Sequence, residues 1–390
     1  MPRTQAFQNL NIPTGHKVAL CLDGGGVRGA LTLRLLERIE SVAGIPCYEL
    51  FDLVAGTSTG GIIAGLIATK RAATEILALY REMIESVFEP RNPLANRYLN
   101  PPAYTKQRYR SALKQRIGNA TLRQVCEGTG LDLLITSQDA AEAEETFFSC
   151  FRGKPDGAYP NVLLRAAMEA TMSAPTYFRP LERFVDGGTT SYNNPSLAAI
   201  LEATKYGPAD GYRIDQLTVF SLGTGCAKCF ATPEQVEEPK GLDVKFWLDY
   251  VMGQSSTDAS EMQVDFLRAG SIPGLDYRRF QISLDALAMA KLPDAPFPPI
   301  EPIAATSLHG LTDADLAKVA MDQTRFMPLL ETIGCAMADF ICSSPQAPFQ
   351  SFRGDLADAA GNDVLVTRRG AVAQIASQMG DPAWVDSQEA

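Results

Sequence analysis

Two consecutive segments share one plan. HKVALCLDGGGVRGALTLRLLERIESVAG at 16–44 and FDLVAGTSTGGIIAGLIA at 51–68 each pass from an apolar run through a glycine-rich turn into a helical pattern. In the first, Val18–Leu22 reads as a buried strand and Gly24–Gly26 as the turn. Leu31, Leu35, Leu36 and Ile39 then share one helical face, and Gly44 is a stop signal. The second unit predicts a strand at Leu50–Ala55, a turn at Ser58 and a helix carrying Ile62, Ile63, Leu66 and Ile67. Strand, turn and helix taken twice demand crossover connections, so the expected class is α/β with a mainly parallel central sheet and helices on its faces. Strands expected at Asp132–Thr136, Thr146–Cys150 and Leu217–Leu222 extend that sheet.

Further along, Ile76, Leu79, Tyr80, Met83, Ile84 and Val87 form one stripe of a helix over 75–88, which reads as core packing without chemistry. The Pro- and Asn-rich segment 89–104 is a loop and a candidate lid. LPDAPFPPIEPIAA at 292–305 is a proline-rich connection, and residues 311–341 after it look helical. From 343 onward the pattern weakens, so 343–390 is set apart as a C-terminal tail of unknown role and 1–16 as an N-terminal extension.

Charge narrows the partners. A formal net charge of -10 without a basic run argues against a nucleic-acid polymer, whose binding needs clustered Lys and Arg. Docking on a membrane would need a local apolar or basic patch. The first 17 residues lack the apolar core of a secretory signal, and the uncharged stretch Leu53–Thr69 is too short and too rich in Gly, Ser and Thr to span a bilayer. Eight cysteines dispersed in hydrophobic contexts suit a reducing compartment, so the expected location is cytoplasmic, with peripheral contact at membranes. Cys226 and Cys229 form one isolated C-x-x-C and read as loop residues; no metal is expected.

Gly56-Thr57-Ser58-Thr59-Gly60 is a G-x-S-x-G between an expected strand and an expected helix, the context of a nucleophile elbow. Gly56 and Gly60 let the backbone turn tightly, and the helix N-terminus favours negative charge on Ser58. A base is harder to find, because the chain has two histidines. His16 precedes the first strand, at the wrong end of a parallel sheet, and His309 follows the proline-rich connection. A carboxylate raised by burial can serve instead. Asp52 should lie below the serine, whereas Asp23 and Asp186 each end an apolar segment and precede glycines; spacing does not choose between them. The loop GGGVRG at 24–29 can offer backbone N–H groups to an oxyanion, which makes Asp23 a support for that loop. It lacks the G-K-[ST] continuation of a phosphate loop.

Together, DGGGVRG at 23–29, GTSTG at 56–60 and DGG at 186–188 resemble the patatin-like phospholipases, lipid acyl hydrolases. SAPTYF at 173–178, NNP at 193–195 and SLGTG at 221–225 add to the likeness, which covers about 17–225 strongly and fades to about 340. The resemblance implies a three-layer α/β/α patatin-like fold with a catalytic domain over 17–342. It implies a Ser58–Asp186 dyad without histidine, an oxyanion hole at Gly24, Gly25, Gly26, Val27 and Arg28, and support from Gly56, Gly60, Gly187 and Gly188. Arg28 is expected to brace its loop, Asn193 and Asn194 to serve as turn residues, and Thr59 to lend its amide. The implied activity is phospholipase A-type cleavage of fatty-acyl esters of phospholipids or other polar lipids, without cofactor and without calcium. Acyl transfer to another alcohol and a signal-gated membrane-degrading effector are the alternatives; no protein partner is implied.

Overall fold

The computed structural model describes residues 2–92, 94, 99, 101–151, 159–208, 211–227, 242–268, 272–343, 349, 379 and 382–383. Its strands are β1 (Lys17–Leu22), β2 (Leu53–Gly56), β3 (Asp132–Asp139), β4 (Glu144–Ser149), β5 (Phe184–Asp186), β6 (Leu217–Leu222) and β7 (Asp276–Phe280). The helices before β3 are α1 (Pro2–Asn9), α2 (Gly29–Ala43), α3 (Cys47–Leu50), α4 (Thr59–Ala68), α5 (Ala73–Val87), α6 (Gln107–Ile117) and α7 (Leu122–Thr129). Those after it are α8 (Leu164–Thr171), α9 (Ser196–Tyr206), α10 (Val244–Arg268), α11 (Ala286–Lys291), α12 (Asp313–Leu316) and α13 (Met327–Ser343).

The strand order is β4-β3-β2-β1-β6-β7, with β5 also paired to β3. The pairs β1–β2, β1–β6, β2–β3 and β6–β7 are parallel, whereas β4 and β5 run antiparallel to β3. Side chains along β1 alternate between two separate cores: Val18, Leu20 and Leu22 face α2, α4 and α5, while Ala19 and Cys21 face α9 and α10. This is the three-layer α/β/α architecture. Each fully buried leucine in such a core contributes roughly 1.5–3 kcal/mol relative to exposure.

Several expectations shift on folding. Residues 47–50 form α3, so the elbow strand starts at Leu53. The 311–341 region is broken into α12 and α13, because Thr312 caps a single short turn and the chain then bends to carry the Met321 carbonyl to the Val27 amide, 2.8 Å away. Strand β7 gave no sequence signal, since DYRRF carries two arginines; both are buried with partners. The segment set apart as 1–16 packs against the body through buried Ala6, Leu10 and Ile12, and Arg3 pairs with Asp52. Helix and turn together over Thr324–Ser343 are long and apolar enough to cross a membrane, but 56% of that window is buried, with α13 lying along α2. Cys229 and most of the 343–390 tail lie outside the described residues, as do parts of the 89–104 loop.

Candidate active site

Ser58 sits where β2 turns into α4, with φ 53° and ψ -122°, a conformation a non-glycine residue adopts only when its surroundings impose it. Its amide donates to Thr171 Oγ1 at 2.8 Å, and the Gly60 amide closes the turn onto Thr57 O at 2.8 Å. Gly56 and Gly60 lie outside the cavity and act by closeness: a Cβ on Gly56 would collide with Gly60 O, and one on Gly60 with Leu22 O.

Asp186 arrives by register. β4 occupies one edge of β3 along its whole outer half, and β2 leaves the other edge after Gly56 pairs with Ile135. β5 takes over that vacated edge, pairing Asp186 with Ser137, two positions beyond the end of the elbow strand. The Ser58 hydroxyl consequently donates to Asp186 Oδ2 at 2.7 Å, and Oδ1 accepts the Gly188 amide at 2.7 Å. Burial pushes the Asp186 carboxyl up to about 6, against the opposing pull of the Gly188 amide and the Ser58 hydroxyl. Gly187 is wedged against Thr136, and Gly188 faces the cavity.

The loop after β1 closes over the serine. A Cβ on Gly24 would be 3.1 Å from the Ser58 Cβ and would overlap Asn193 Oδ1, so only glycine fits this approach. Of the five amides implicated by resemblance, Gly24 donates to Asn193 O, Val27 to Met321 O and Arg28 to Gly25 O. The Gly25 and Gly26 amides have no such acceptor among the described residues, and neither has the amide of Thr59. Arg28 Nε donates to Gly25 O at 3.3 Å, bracing the loop as expected, and Arg28 also lines the cavity. Asn194 holds the turn into α9 through Ser196.

Asp23, the other carboxylate left open by spacing, points away from the serine and makes a two-pronged ion pair with Arg279 of β7. Asp52 lies at the opposite end of its strand, held by Arg3 and Lys17. His16 contacts Thr218 Oγ1 at the start of β6, and His309 Nε2 contacts Leu292 O. Neither histidine is within hydrogen-bond reach of Ser58.

Ser58, Asp186, Gly24, Gly25, Gly26 and Arg28 form the polar end of a cavity of about 250 Å³. Its apolar wall is built from Ile62 and Leu66 of α4, Met83, Ile84 and Val87 of α5, and Phe178, while Asp249, Ser256 and Thr257 of α10 add polar groups to the lining. Helix α5, which reads as plain core packing, therefore supplies part of the pocket wall. Its Tyr80 hydroxyl donates to Gly26 O at 2.6 Å and contacts Thr59 Oγ1 at 2.9 Å, tying the glycine loop to the elbow. The base of the 89–104 loop is pinned to the 173–178 segment by the Ala103 and Tyr104 amides.

A family model described as patatin-like phospholipase matches residues 20–200. The cUMP-AMP-activated phospholipase of Escherichia coli is 30% identical over 64% of this chain and 76% of its own length. The cGAMP-activated phospholipase of Escherichia coli (strain TW11681) is 31% identical over 53% of this chain and 61% of that protein. The 85/88 kDa calcium-independent phospholipase A2 of Rattus norvegicus is 30% identical over 72% of this chain, which spans 38% of that relative's length.

Proposed function

This chain belongs to the patatin-like phospholipase family, and from that premise we propose that it hydrolyses fatty-acyl esters of phospholipids or related polar lipids through a Ser58 acyl-enzyme. The observation that carries the reading is the 2.7 Å hydrogen bond from Ser58 to a buried carboxylate at the polar end of an apolar pocket. Such a pocket takes an acyl chain into its apolar part and leaves the ester carbonyl beside Ser58.

Asp186 takes the proton as Ser58 Oγ bonds to the carbonyl carbon. Negative charge moves to the carbonyl oxygen, where the free Gly25, Gly26 and Thr59 amides supply donors; each donor of this kind is worth on the order of 3–4 kcal/mol. Collapse breaks the ester C–O bond, and the leaving alcohol takes the proton from Asp186. Water then gives a proton to Asp186 and attacks the acyl-enzyme. Fatty acid leaves and Ser58 recovers its proton. The domain over 17–342 is proposed as the unit that performs this chemistry, and contact with a lipid surface as its setting.

The test is fatty-acid release from mixed phospholipid vesicles, with chelator present, by wild type, Ser58→Ala and Asp186→Asn. Release by wild type and a fall of ~10⁴-fold or more in each variant is the expected result; equal release by all three sinks the dyad. Added glycerol or lysolipid separates hydrolysis from acyl transfer through the products. The names of the two Escherichia coli relatives motivate one further arm, with and without a cyclic nucleotide, in which full turnover without it removes strict gating.

A further inference from the structure

We propose that the first turns of α10 are the surface by which the protein docks on a phospholipid bilayer, an inference that rests on the lipid-hydrolase reading above. Asp243 starts this helix by accepting the Phe246 amide at 2.8 Å. One face then lines the cavity through Asp249, Gly253, Ser256 and Thr257, and further along it buries Val264 and Leu267. The opposite face inverts the usual pattern. Val244, Trp247, Leu248 and Val251 follow i, i+3, i+4, i+7 spacing, yet they are 85%, 48%, 37% and 58% exposed. Trp247 packs edge-on against Phe246 and Tyr250, with ring centroids 5.2 and 5.6 Å away, so the stripe carries a preformed aromatic cluster.

The chemistry fits a bilayer interface. Tryptophan and tyrosine combine an apolar body with a polar tip and settle at headgroup depth, while valine and leucine enter the acyl region. Electrostatic attraction to anionic lipid is a poor alternative at a formal net charge of -10. Further on, exposed Asp258, Glu261 and Asp265 interrupt this side of the helix, where exposed Met262 and Phe266 continue the apolar face between them. Gly253 is both exposed and part of the cavity wall, which puts the cavity mouth on this helix. Bilayer and cavity then lie on opposite sides of one helix, separated by about one helix diameter, ~10 Å.

The chain has two tryptophans, so Trp384→Phe leaves Trp247 as the single reporter; Ser58→Ala in the same protein keeps the lipid intact. With phosphatidylcholine vesicles, Trp247 emission is expected to shift to the blue and to be quenched by brominated acyl chains, equally at low and high salt. Leu248→Lys with Val251→Lys, in a protein with Ser58 intact, is expected to lower vesicle binding ~tenfold or more while leaving turnover of a water-soluble short-chain ester at the wild-type rate. Absence of vesicle binding, binding without a change at Trp247, or binding indifferent to the two lysines overturns the proposal. Blue emission before vesicles are added, together with a dimer mass, assigns the stripe to a second copy and overturns it too. Insertion of Trp247 by a protein that releases no fatty acid supports the docking surface and refutes the hydrolase reading alone.

Discussion

A carboxylate that removes a proton from serine must be ionised at working pH and still hold a proton once it has it. Burial places Asp186 near that compromise, at about 6, with the Gly188 amide and Ser58 hydroxyl preventing a larger rise. In the proposed reaction only ionised Asp186 accepts the proton, so kcat/KM for a soluble ester should climb with pH and level off above an acid limb near 6. A pH–rate profile checks this; a flat profile from 5 to 8 assigns the base elsewhere. The same shift sets a stability cost. Because the folded pKa lies above the ordinary 3.8, the stabilisation of protonated Asp186 is complete below about 3.8 and is lost as pH rises through about 6. Asp186→Asn removes the buried charge, keeps an acceptor for Gly188 and should be more stable than wild type at pH 8 by up to ~3 kcal/mol, while inactive. Denaturant unfolding at pH 8 and at pH 4 measures it: the gain should shrink at the lower pH.

At the scale of elements, the pocket shows why a helical stripe is an ambiguous signal. Met83, Ile84 and Val87 recur at helical spacing because they face inward, and the spacing is the same whether that side meets a neighbouring helix or a cavity. Tyr80 of α5 contacts both Thr59 of α4 and Gly26 of the glycine loop, and side chains of both helices line the space beside Ser58. Filling it is the direct test. Ile84→Trp should shorten the usable acyl length, cutting turnover of long-chain esters ~tenfold or more with little effect on short ones. A chain-length series of soluble esters reads this out, and a uniform loss across the series would place Ile84 away from the acyl path.

Across the whole molecule, the loop that covers the serine is anchored by residues far away in sequence. Arg279, carried on β7, forms a two-pronged pair with Asp23 and also donates to Ser221 Oγ of β6, 2.9 Å away. Both partners are buried, at 3% exposure each. Burial pushes Asp23 up, and the guanidinium pulls it back toward ionisation. Arg279→Met leaves the carboxyl without its cation and should cost ~3–5 kcal/mol in denaturant unfolding; adding Asp23→Leu should return much of that loss. No recovery in the double variant would mean that Arg279 acts through Ser221 and packing instead.

The chain's own residues determined whatever depends on neighbours in sequence. Alternation of apolar runs with glycine turns specified the layered parallel sheet, and the strained turn at Ser58 was legible because such a turn needs Gly56 and Gly60 beside it. Tertiary structure decided what depends on distant pairing. Asp23 and Asp186 look alike as Asp-Gly-Gly turns, and the residues alone left both open; family resemblance favoured Asp186, and the register of β5 on β3 brings it to the serine. Strand β7 was illegible because buried arginines read as surface until their partners are known. Arg278 reaches the carbonyl oxygens of Leu10 and Asn11 from the far end of the sequence. Local patterns report a residue's face and turn, whereas the Ser58–Asp186 hydrogen bond, the cavity wall and the exposed stripe of α10 exist only once separate elements have packed.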